Sequence, residues 1–248
     1  GGVAQRATLI EKIREEEDHV LLLDAGDIMQ GTPYFNLYKG EVEFKVMNAM
    51  KYDVATIGNH DFDAGIEMLA KNTKMADFSL VNCNYNFSDT PMHNLVKPYT
   101  IKSFDGVRVG IFGVGIKLAG LVPSEWYGNT QYTQPVAVAN RIAQQLKSDE
   151  KCDYVICLSH LGYEYRSSNI SDVILAQSSR HIDLIVGGHT HTFLDVPDAR
   201  RNLDGEPVLI AQAGWAGIKL GRLDVEFTHG KKNKTTTPNN QWINDLGQ

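Results

Sequence analysis

The 248-residue sequence has few cysteines, no excess of basic charge and no long apolar run. Three cysteines cannot build the disulfide framework of a small secreted domain, so we expect Cys83, Cys152 and Cys157 to be small buried side chains. The net charge of -6 offers no electrostatic footprint for nucleic acid polymers or anionic membranes. No apolar run approaches the roughly 18 residues that span a bilayer. These features exclude a disulfide scaffold, a polyanion-binding protein and a membrane span.

What the sequence does contain is an alternation of helix and strand patterns. Apolar residues recur at helical spacing over residues 3–16, and short apolar runs at 20–23 and 54–57 predict strands. Two further runs flank Asp105-Gly106, which predicts an antiparallel hairpin. More helices are predicted at 41–51, 66–74, 135–147 and 170–178, and more strands at 79–82, 154–158, 183–186, 207–213 and 219–227. The pattern predicts one α/β domain over residues 1–248.

Four of the predicted strands end in side chains that can carry chemistry. The segments that follow them are Asp24-Ala25-Gly26-Asp27, Gly58-Asn59-His60-Asp61, Ser159-His160 and Gly187-Gly188-His189-Thr190-His191. In open α/β sheets the ligand crevice lies outside the carboxyl ends of the strands, so residues far apart in sequence converge there. We therefore predict one site built from these four strand ends.

Each of these signals is weaker alone than together. Asp27 alone is typical of a turn, and His160 alone is typical of a histidine satisfied in the core or at the surface. The pair His189 and His191 is more specific, because two preceding glycines let the backbone approach a metal while both imidazoles point at it. A purely structural reading requires four coincidences at equivalent places, so we favour a shared functional site.

The types of donor indicate the metal chemistry. Imidazole nitrogens with carboxylate and amide oxygens suit Zn, Mn, Fe, Co or Ni, and the set is too rich in nitrogen for calcium. No cysteine belongs to the set, which disfavours a structural zinc site. A shared carboxylate such as Asp27 suits two divalent ions roughly 3.5–4 Å apart that polarise a phosphoryl group and activate water. We expect two divalent metal ions as cofactors and hydrolysis without a protein nucleophile.

Four segments resemble successive motifs of the calcineurin-like metallophosphoesterases, and specifically of their 5′-nucleotidase branch. They are DAGDIMQGTPYFN, TIGNHDFDAG, CLSHLGYE and DLIVGGHTHTF, and the resemblance covers nearly the whole chain. It implies a four-layer α/β/β/α sandwich with a two-metal site at the strand ends. It also implies a metal-dependent hydrolase of phosphate monoesters, acting on nucleoside 5′-monophosphates or related nucleotides.

The resemblance assigns the metal ligands residue by residue. Asp27 would bridge both metals, His191 would bind the first, and the second would be completed by Asn59, His160 and His189. The family's first motif, an Asp-x-His at the end of its first strand, would supply two more ligands to the first metal. No Asp-x-His occurs in these 248 residues, so we expect that the natural protein carries upstream sequence with that strand.

His60 has a different role in the resemblance. It would contact the phosphate and stabilise or protonate the leaving oxygen, while Asp63 would orient and charge its ring. An imidazole paired with a carboxylate is a reasonable general acid near neutral pH. His60 and Asp63 are therefore the predicted catalytic residues, and neither is predicted to bind metal.

The resemblance also bears on substrate choice and location. Family nucleotidases usually carry a further C-terminal domain that binds the base between aromatic rings, and we expect no such domain after Phe227. Base recognition would then come from a separate nucleotide-binding domain protein, or the enzyme would act on a wider range of phosphate esters. The loop 116–132, with Trp126 and Tyr127, is where we expect a base pocket if one exists. The family is mostly exported, which implies a periplasmic or extracellular location.

Two other functions stay open on the sequence alone. A cyclic-nucleotide phosphodiesterase or a sulfur-ester hydrolase of the same fold would have the same metal site. A catalytically silent scaffold that holds at most one metal is the alternative from another class. The missing Asp-x-His favours the scaffold, whereas the retention of His60 with Asp63 favours an enzyme.

Overall fold

The computed structural model describes residues 2–227, 234–238 and 241–243. The helices are Val3–Glu16 (α1), Pro33–Tyr38 (α2), Glu41–Ala49 (α3), Ile66–Thr73 (α4), Ser124–Tyr127 (α5), Pro135–Ser148 (α6) and Asp172–Gln177 (α7). The strands are Leu23–Asp24 (β1), Val54–Ala55 (β2), Ser79–Leu80 (β3), Tyr85–Asn86 (β4), Tyr99–Phe104 (β5), Val107–Gly115 (β6), Gln131–Tyr132 (β7), Tyr154–His160 (β8), Leu184–Gly187 (β9), Asp198–Arg201 (β10), Pro207–Ala211 (β11), Lys219–Leu220 (β12), Leu223–Phe227 (β13), Lys234–Pro238 (β14) and Gln241–Trp242 (β15).

Two sheets carry the fold. The smaller has three parallel strands in the order β1-β2-β3, and the larger has six in the order β10-β11-β9-β8-β6-β5. Strands β6, β8, β9 and β11 run parallel, whereas β5 pairs with β6 as an antiparallel hairpin around Asp105-Gly106. The predicted hairpin is confirmed. The parallel strands point their carboxyl ends to one edge, where the predicted site residues begin.

Helices cover the outer face of each sheet. Phe44 of α3 and Leu69 of α4 pack on the three-stranded side, and Leu146 of α6 packs on the six-stranded side. Between the sheets lies a third apolar cluster that includes Val54 and Ile156. The order is therefore helix, sheet, sheet, helix, which confirms the predicted four-layer α/β/β/α sandwich.

The three-stranded half differs most from the predicted elements. The strand predicted at 20–23 is wrong in its bounds, because regular pairing begins at Leu23, which lies opposite Val54. β1 is an edge strand with only β2 beside it in the described sheet, so little of the apolar run acquires a ladder partner. Helix α2 was not predicted, and the strand predicted at 219–227 is divided into β12 and β13.

Two expectations from composition can be compared with the structure. Cys152 and Cys157 are buried and free, as predicted, but Cys83 is only partly buried. Within the described ranges, no helix has both the length and the apolar character that crossing a bilayer would require.

Candidate active site

Side chains from the carboxyl ends of β1, β2, β8 and the β9 loop meet in one place. Asp27, His160 and His189 each offer a ligand atom within 4.8 Å of the others. The Oδ1 atom of Asn59 lies 2.8 Å from Nδ1 of His189. The structure thus brings together four of the five predicted metal ligands, although they span more than 160 positions of sequence.

Asp27 lies at the centre of this group. Its Oδ2 atom is 2.9 Å from Nε2 of His160, and its Oδ1 accepts a 2.7 Å hydrogen bond from the backbone N–H of His60. The backbone of Asp27 has a φ of 63°, which is costly for a residue with a side chain. Gly58 makes the approach possible, because a Cβ at that position would collide with Asp27 Oδ1.

The loop that carries Asp27 is held by the buried carboxylate of Asp61. It accepts hydrogen bonds from the backbone N–H groups of Asp27 at 3.0 Å, Ile28 at 2.7 Å and Gly58 at 2.8 Å. These bonds offset the desolvation of the buried carboxylate. The sequence predicted no role for Asp61. Its only signal was an acidic residue directly after His60 in a strand-end segment.

His160 presents a buried nitrogen that fits a metal ion. Its Nδ1 lies 2.6 Å from the carbonyl oxygen of Ala25, which can only accept, so Nδ1 carries the proton. In the neutral ring Nε2 then holds a lone pair, and among the described residues it makes no well-directed hydrogen bond. Burial opposes protonation, but Asp27 outweighs it and raises the pKa of His160 to about 9. Without metal the ring is therefore protonated near pH 7, with Nε2 facing the carboxylate of Asp27, and a divalent cation would displace the Nε2 proton on binding between these two groups.

His189 is poised as a neutral ligand. Burial, together with repulsion from His160, lowers the pKa of His189 to about 4, so the imidazole is unprotonated near pH 7. Metal binding requires this neutral form. The backbone φ of His189 is 66°, so this residue shares the left-handed conformation of Asp27.

His191 lies in the same cleft but outside the three-residue cluster. Its backbone also has positive φ, at 55°. Its imidazole stacks on the indole of Trp215, with ring centroids 5.8 Å apart and planes inclined by 13°. The structure therefore separates the predicted ligands into a close group of four and a fifth at its side.

A buried amide holds the loop that carries both histidines. The Nε2 of Gln212 donates to the carbonyl of Gly188 at 2.9 Å. Its Oε1 accepts from the backbone N–H of Thr192 and from the hydroxyl of Thr190 at 3.2 Å. Gln212 thus bridges the loop before His189 and after His191. Sequence reasoning missed it, because a glutamine 24 positions after Gly188 carries no local signal.

The predicted pair of His60 and Asp63 is also present. Nδ1 of His60 lies 2.8 Å from Oδ2 of Asp63, with the His60 side chain half exposed and that of Asp63 only 17% exposed. His60 begins the 3₁₀ turn His60–Phe62 and lines the cleft, yet it is not a member of the potential metal cluster. This geometry can orient the imidazole, with its Nε2 edge left for a substrate.

The cleft has a volume of about 1340 Å³ and extends from the site to the space between the sheets. Its polar end includes Asp27, His60 and His191. Its apolar end is lined by Leu23 of the edge strand β1 and by Val109 of the larger sheet. The cleft therefore joins the candidate metal ligands to an apolar slot beside β1.

Comparison with known proteins yields consistent matches. A sequence model of the calcineurin-like phosphoesterase family matches residues 1–193. The 5′-nucleotidase of Bos taurus is 34% identical over 97% of this chain and 43% of its own length. The trifunctional nucleotide phosphoesterase protein YfkN of Bacillus subtilis is 32% identical over 90% of this chain and 17% of its own. The structure of the 5′-nucleotidase precursor from Thermus thermophilus aligns with a TM-score of 0.86 and 31% identity, over 98% of this chain and 49% of that one. The chain spans less than half the length of these relatives.

Proposed function

The chain belongs to the calcineurin-like phosphoesterase family, and from that premise we propose that it hydrolyses phosphate monoesters, nucleoside 5′-monophosphates or related nucleotides above all. The observation that carries the proposal is the convergence of Asp27, Asn59, His160 and His189 at the strand ends. The relatives named 5′-nucleotidase support nucleotides as the substrate class.

The donor set fits divalent metal ions. Asp27, Asn59, His160 and His189 would hold one ion, and Asp27 with His191 would contribute to a second. When bound, these ions would stabilise charge on the phosphoryl oxygens and activate the attacking water. The buried Nε2 of His160 and the neutral imidazole of His189 are the features that support metal at this position.

His60 acts on the leaving group in this proposal. The carboxylate of Asp63 accepts the Nδ1 proton of His60, which fixes the orientation of the ring. The opposite nitrogen then donates a proton to the ester oxygen as the P–O bond breaks. Asp27 anchors the same segment, because its Oδ1 accepts from the backbone N–H of His60. The proton donor and the candidate metal ligands are thus linked through one hydrogen bond.

The second metal requires more ligands than Asp27 and His191. We propose that an Asp-x-His strand outside these 248 residues supplies them and pairs with the free edge of β1 in the apolar slot of the cleft. The slot's lining by Leu23 and Val109 supports an apolar strand there. The protein with this strand should bind two ions per chain, and these residues alone should bind one. Equal metal content in both forms would contradict the proposal.

The same proposal includes two further properties that the resemblance implies. Recognition of the base by a further domain or a separate protein, and export to the periplasm or cell surface, both follow from the resemblance. Cell fractionation checks the location. A chain found only in the cytoplasm would contradict export.

The test of the activity is phosphate release from a panel of nucleoside monophosphates, with and without added divalent metal. We expect metal-dependent release from several of them. Turnover only of a 2′,3′-cyclic nucleotide, or only of a thiosulfate ester, would replace monoester hydrolysis with one of the alternatives of the same fold. Metal binding without turnover of any ester would favour the silent scaffold.

A further inference from the structure

Trp215 is a large aromatic side chain that stays exposed at the rim of the cleft. It is 57% exposed, and the neighbouring His191 is exposed as well. One face of the indole lies on the imidazole of His191, nearly parallel to it. The remaining exposure leaves room for a second flat ring on the same indole.

The turn that carries Trp215 holds the indole in a defined place. Gly214 has a φ of 78°, and a Cβ there would collide with the ring of Phe193. The N–H of Gly214 donates to the carbonyl of Thr192 at 3.0 Å, which ties the turn to the histidine loop. Ala216 also adopts a positive φ, of 57°. Backbone strain of this kind persists where the surroundings over-determine the conformation, and it is common at ligand sites.

We propose that Trp215 is a stacking platform for the planar aromatic ring of the leaving group, either a nucleobase or an aryl ring. The inference rests on the proposed function. A nucleotide with its phosphate at Asp27 and His189 extends its base several ångströms away, and Trp215 lines the same cleft and contacts His191 of the same loop. Offset-parallel stacking is the favourable arrangement of such rings. It is tolerant of base identity, because every base has a π-face.

The other aromatic residues that the sequence singled out do not compete for this role. Trp126 and Tyr127 lie on the short helix α5 and do not line the cleft. The base pocket expected in the loop 116–132 is not part of this cleft and stays a prediction. Trp126, at 37% exposure, provides a matched control for substitutions of Trp215.

The kinetic test compares adenosine 5′-monophosphate with ribose 5-phosphate, which has the same type of leaving oxygen and no base. Trp215→Leu should lower kcat/KM for the nucleotide by about 5- to 100-fold, while ribose 5-phosphate changes less than about twofold. Trp215→Phe should keep most of the preference, and Trp126→Leu should change neither substrate. A phenyl phosphate arm tells whether any aryl ring suffices or only a nucleobase. Equal losses on the nucleotide and ribose 5-phosphate would show that Trp215 only orients His191, and would overturn the proposal.

A binding test separates this inference from the proposed function. Adenosine, which has no phosphate to hydrolyse, should bind to the wild-type protein and to Trp126→Leu in saturation-transfer NMR. Its affinity should fall about 5- to 100-fold in Trp215→Leu, and ribose should not bind detectably. Equal binding of adenosine to wild type and Trp215→Leu, or none to wild type, would overturn the platform even if nucleotides are hydrolysed. If the wild-type protein hydrolyses no nucleotide but binds adenosine in a way that depends on Trp215, the proposed activity alone would be overturned.

Discussion

The two sheets deliver their site residues by different means. In the six-stranded sheet, β8 is seven residues long and buried throughout, and His160 is its last residue, opposite Gly115 of β6. In the three-stranded sheet, β1 and β2 have two residues each, and Asp27 and Asn59 lie beyond them in loops. The six-stranded half therefore positions His160 by backbone register, whereas Asp27 and Asn59 of the other half, like His189 in the loop after β9, lie in loops held by side-chain hydrogen bonds.

This difference shows where the site is vulnerable. Long parallel pairing on both sides of β8 distributes the cost of any single change over many bonds. The loop of Asp27 depends largely on the one carboxylate of Asp61. Substitutions in the two halves should therefore affect stability, metal binding and activity unequally. We expect the largest effect where Asp61 supports the Asp27 loop, and the smallest on the choice among substrate nucleobases.

Asp61→Asn should have the largest effect, because the amide replaces an acceptor of several backbone N–H groups with a group that is partly a donor. We expect the free energy of unfolding to fall by about 3 kcal/mol, with loss of metal binding. Denaturant unfolding and metal titration measure both. The control is Asp53→Asn in the same half, since among the described residues Asp53 accepts one backbone N–H, from Leu22 at 2.9 Å, and its other oxygen pairs with the Lys102 side chain. Equal destabilisation by the two variants would contradict the role of Asp61.

His189→Ala should remove metal affinity without unfolding the six-stranded half. Removing a residue that only hydrogen-bonds to a metal ligand typically lowers metal affinity about 10–100-fold. Because His189 is itself a proposed ligand, we expect its removal to lower metal affinity by more than about 100-fold. Calorimetric titration with Mn²⁺ measures it. His181→Ala is the matched control, because His181 also has positive φ but bonds to Gln144 at the surface. Unchanged stoichiometry and affinity in His189→Ala would remove this residue from the metal site.

His60→Asn should affect chemistry and leave metal affinity near wild type. General-acid assistance typically contributes about 10²–10⁴-fold, so kcat should fall by that factor. Asp63→Asn should act in the same direction but less, because Asp63 only supports the ring. The surface variant His93→Asn serves as control, since its ring bonds to the carbonyl of Ser88. Loss of metal from His60→Asn would make His60 a ligand and refute the assignment.

Gln212→Met should show how far the histidine loop depends on its side-chain bridge. The change keeps the length of the side chain and removes its hydrogen bonds, so metal affinity should fall about 10–100-fold. Gln145→Met is the matched control, because Gln145 is half buried on α6 and bonds to the hydroxyl of Tyr99. If both variants bind metal as wild type does, the backbone alone positions His189 and His191.

The smallest effect concerns the choice among bases. In the proposed site the polar groups of both halves contact the phosphate, and the proposed stacking on Trp215 would not distinguish one base from another. The kcat/KM values for different nucleoside monophosphates and simple aryl phosphates should therefore agree within about tenfold, or roughly 1.4 kcal/mol. A side-by-side panel at saturating metal measures the spread. A thousandfold preference for one nucleotide would reveal contacts with the base that the two halves do not supply.

The six-stranded half was the easier one to predict from sequence. The apolar runs at 154–158 and 183–186 are continuous because both faces of those strands are buried, so their positions and their terminal histidines follow from the pattern. The run at 20–23 has the same apolar character, but strand geometry also needs a paired neighbour, which no sequence pattern shows. The predicted strand at 20–23 therefore begins and ends earlier than the observed strand β1, Leu23–Asp24.

The residues that meet at the candidate site were predictable, but their supports were not. Asp27, Asn59, His160 and His189 each follow a recognisable strand end, and they meet as expected. Their roles as ligands remain predictions. Asp61, Gln212 and Trp215 act through contacts between segments distant in sequence, and their residue types are common in turns and at surfaces. Such supports become visible only when the loops are folded together.

The central claim is that residues from both sheets hold a divalent metal ion at the strand ends. The most direct measurement is anomalous X-ray diffraction at the metal absorption edge from crystals equilibrated with Mn²⁺ or Zn²⁺. We predict an anomalous peak within coordination distance of Asp27, Asn59, His160 and His189. No peak at this position, or a peak that contacts His60 instead of His160 and His189, would contradict the claim.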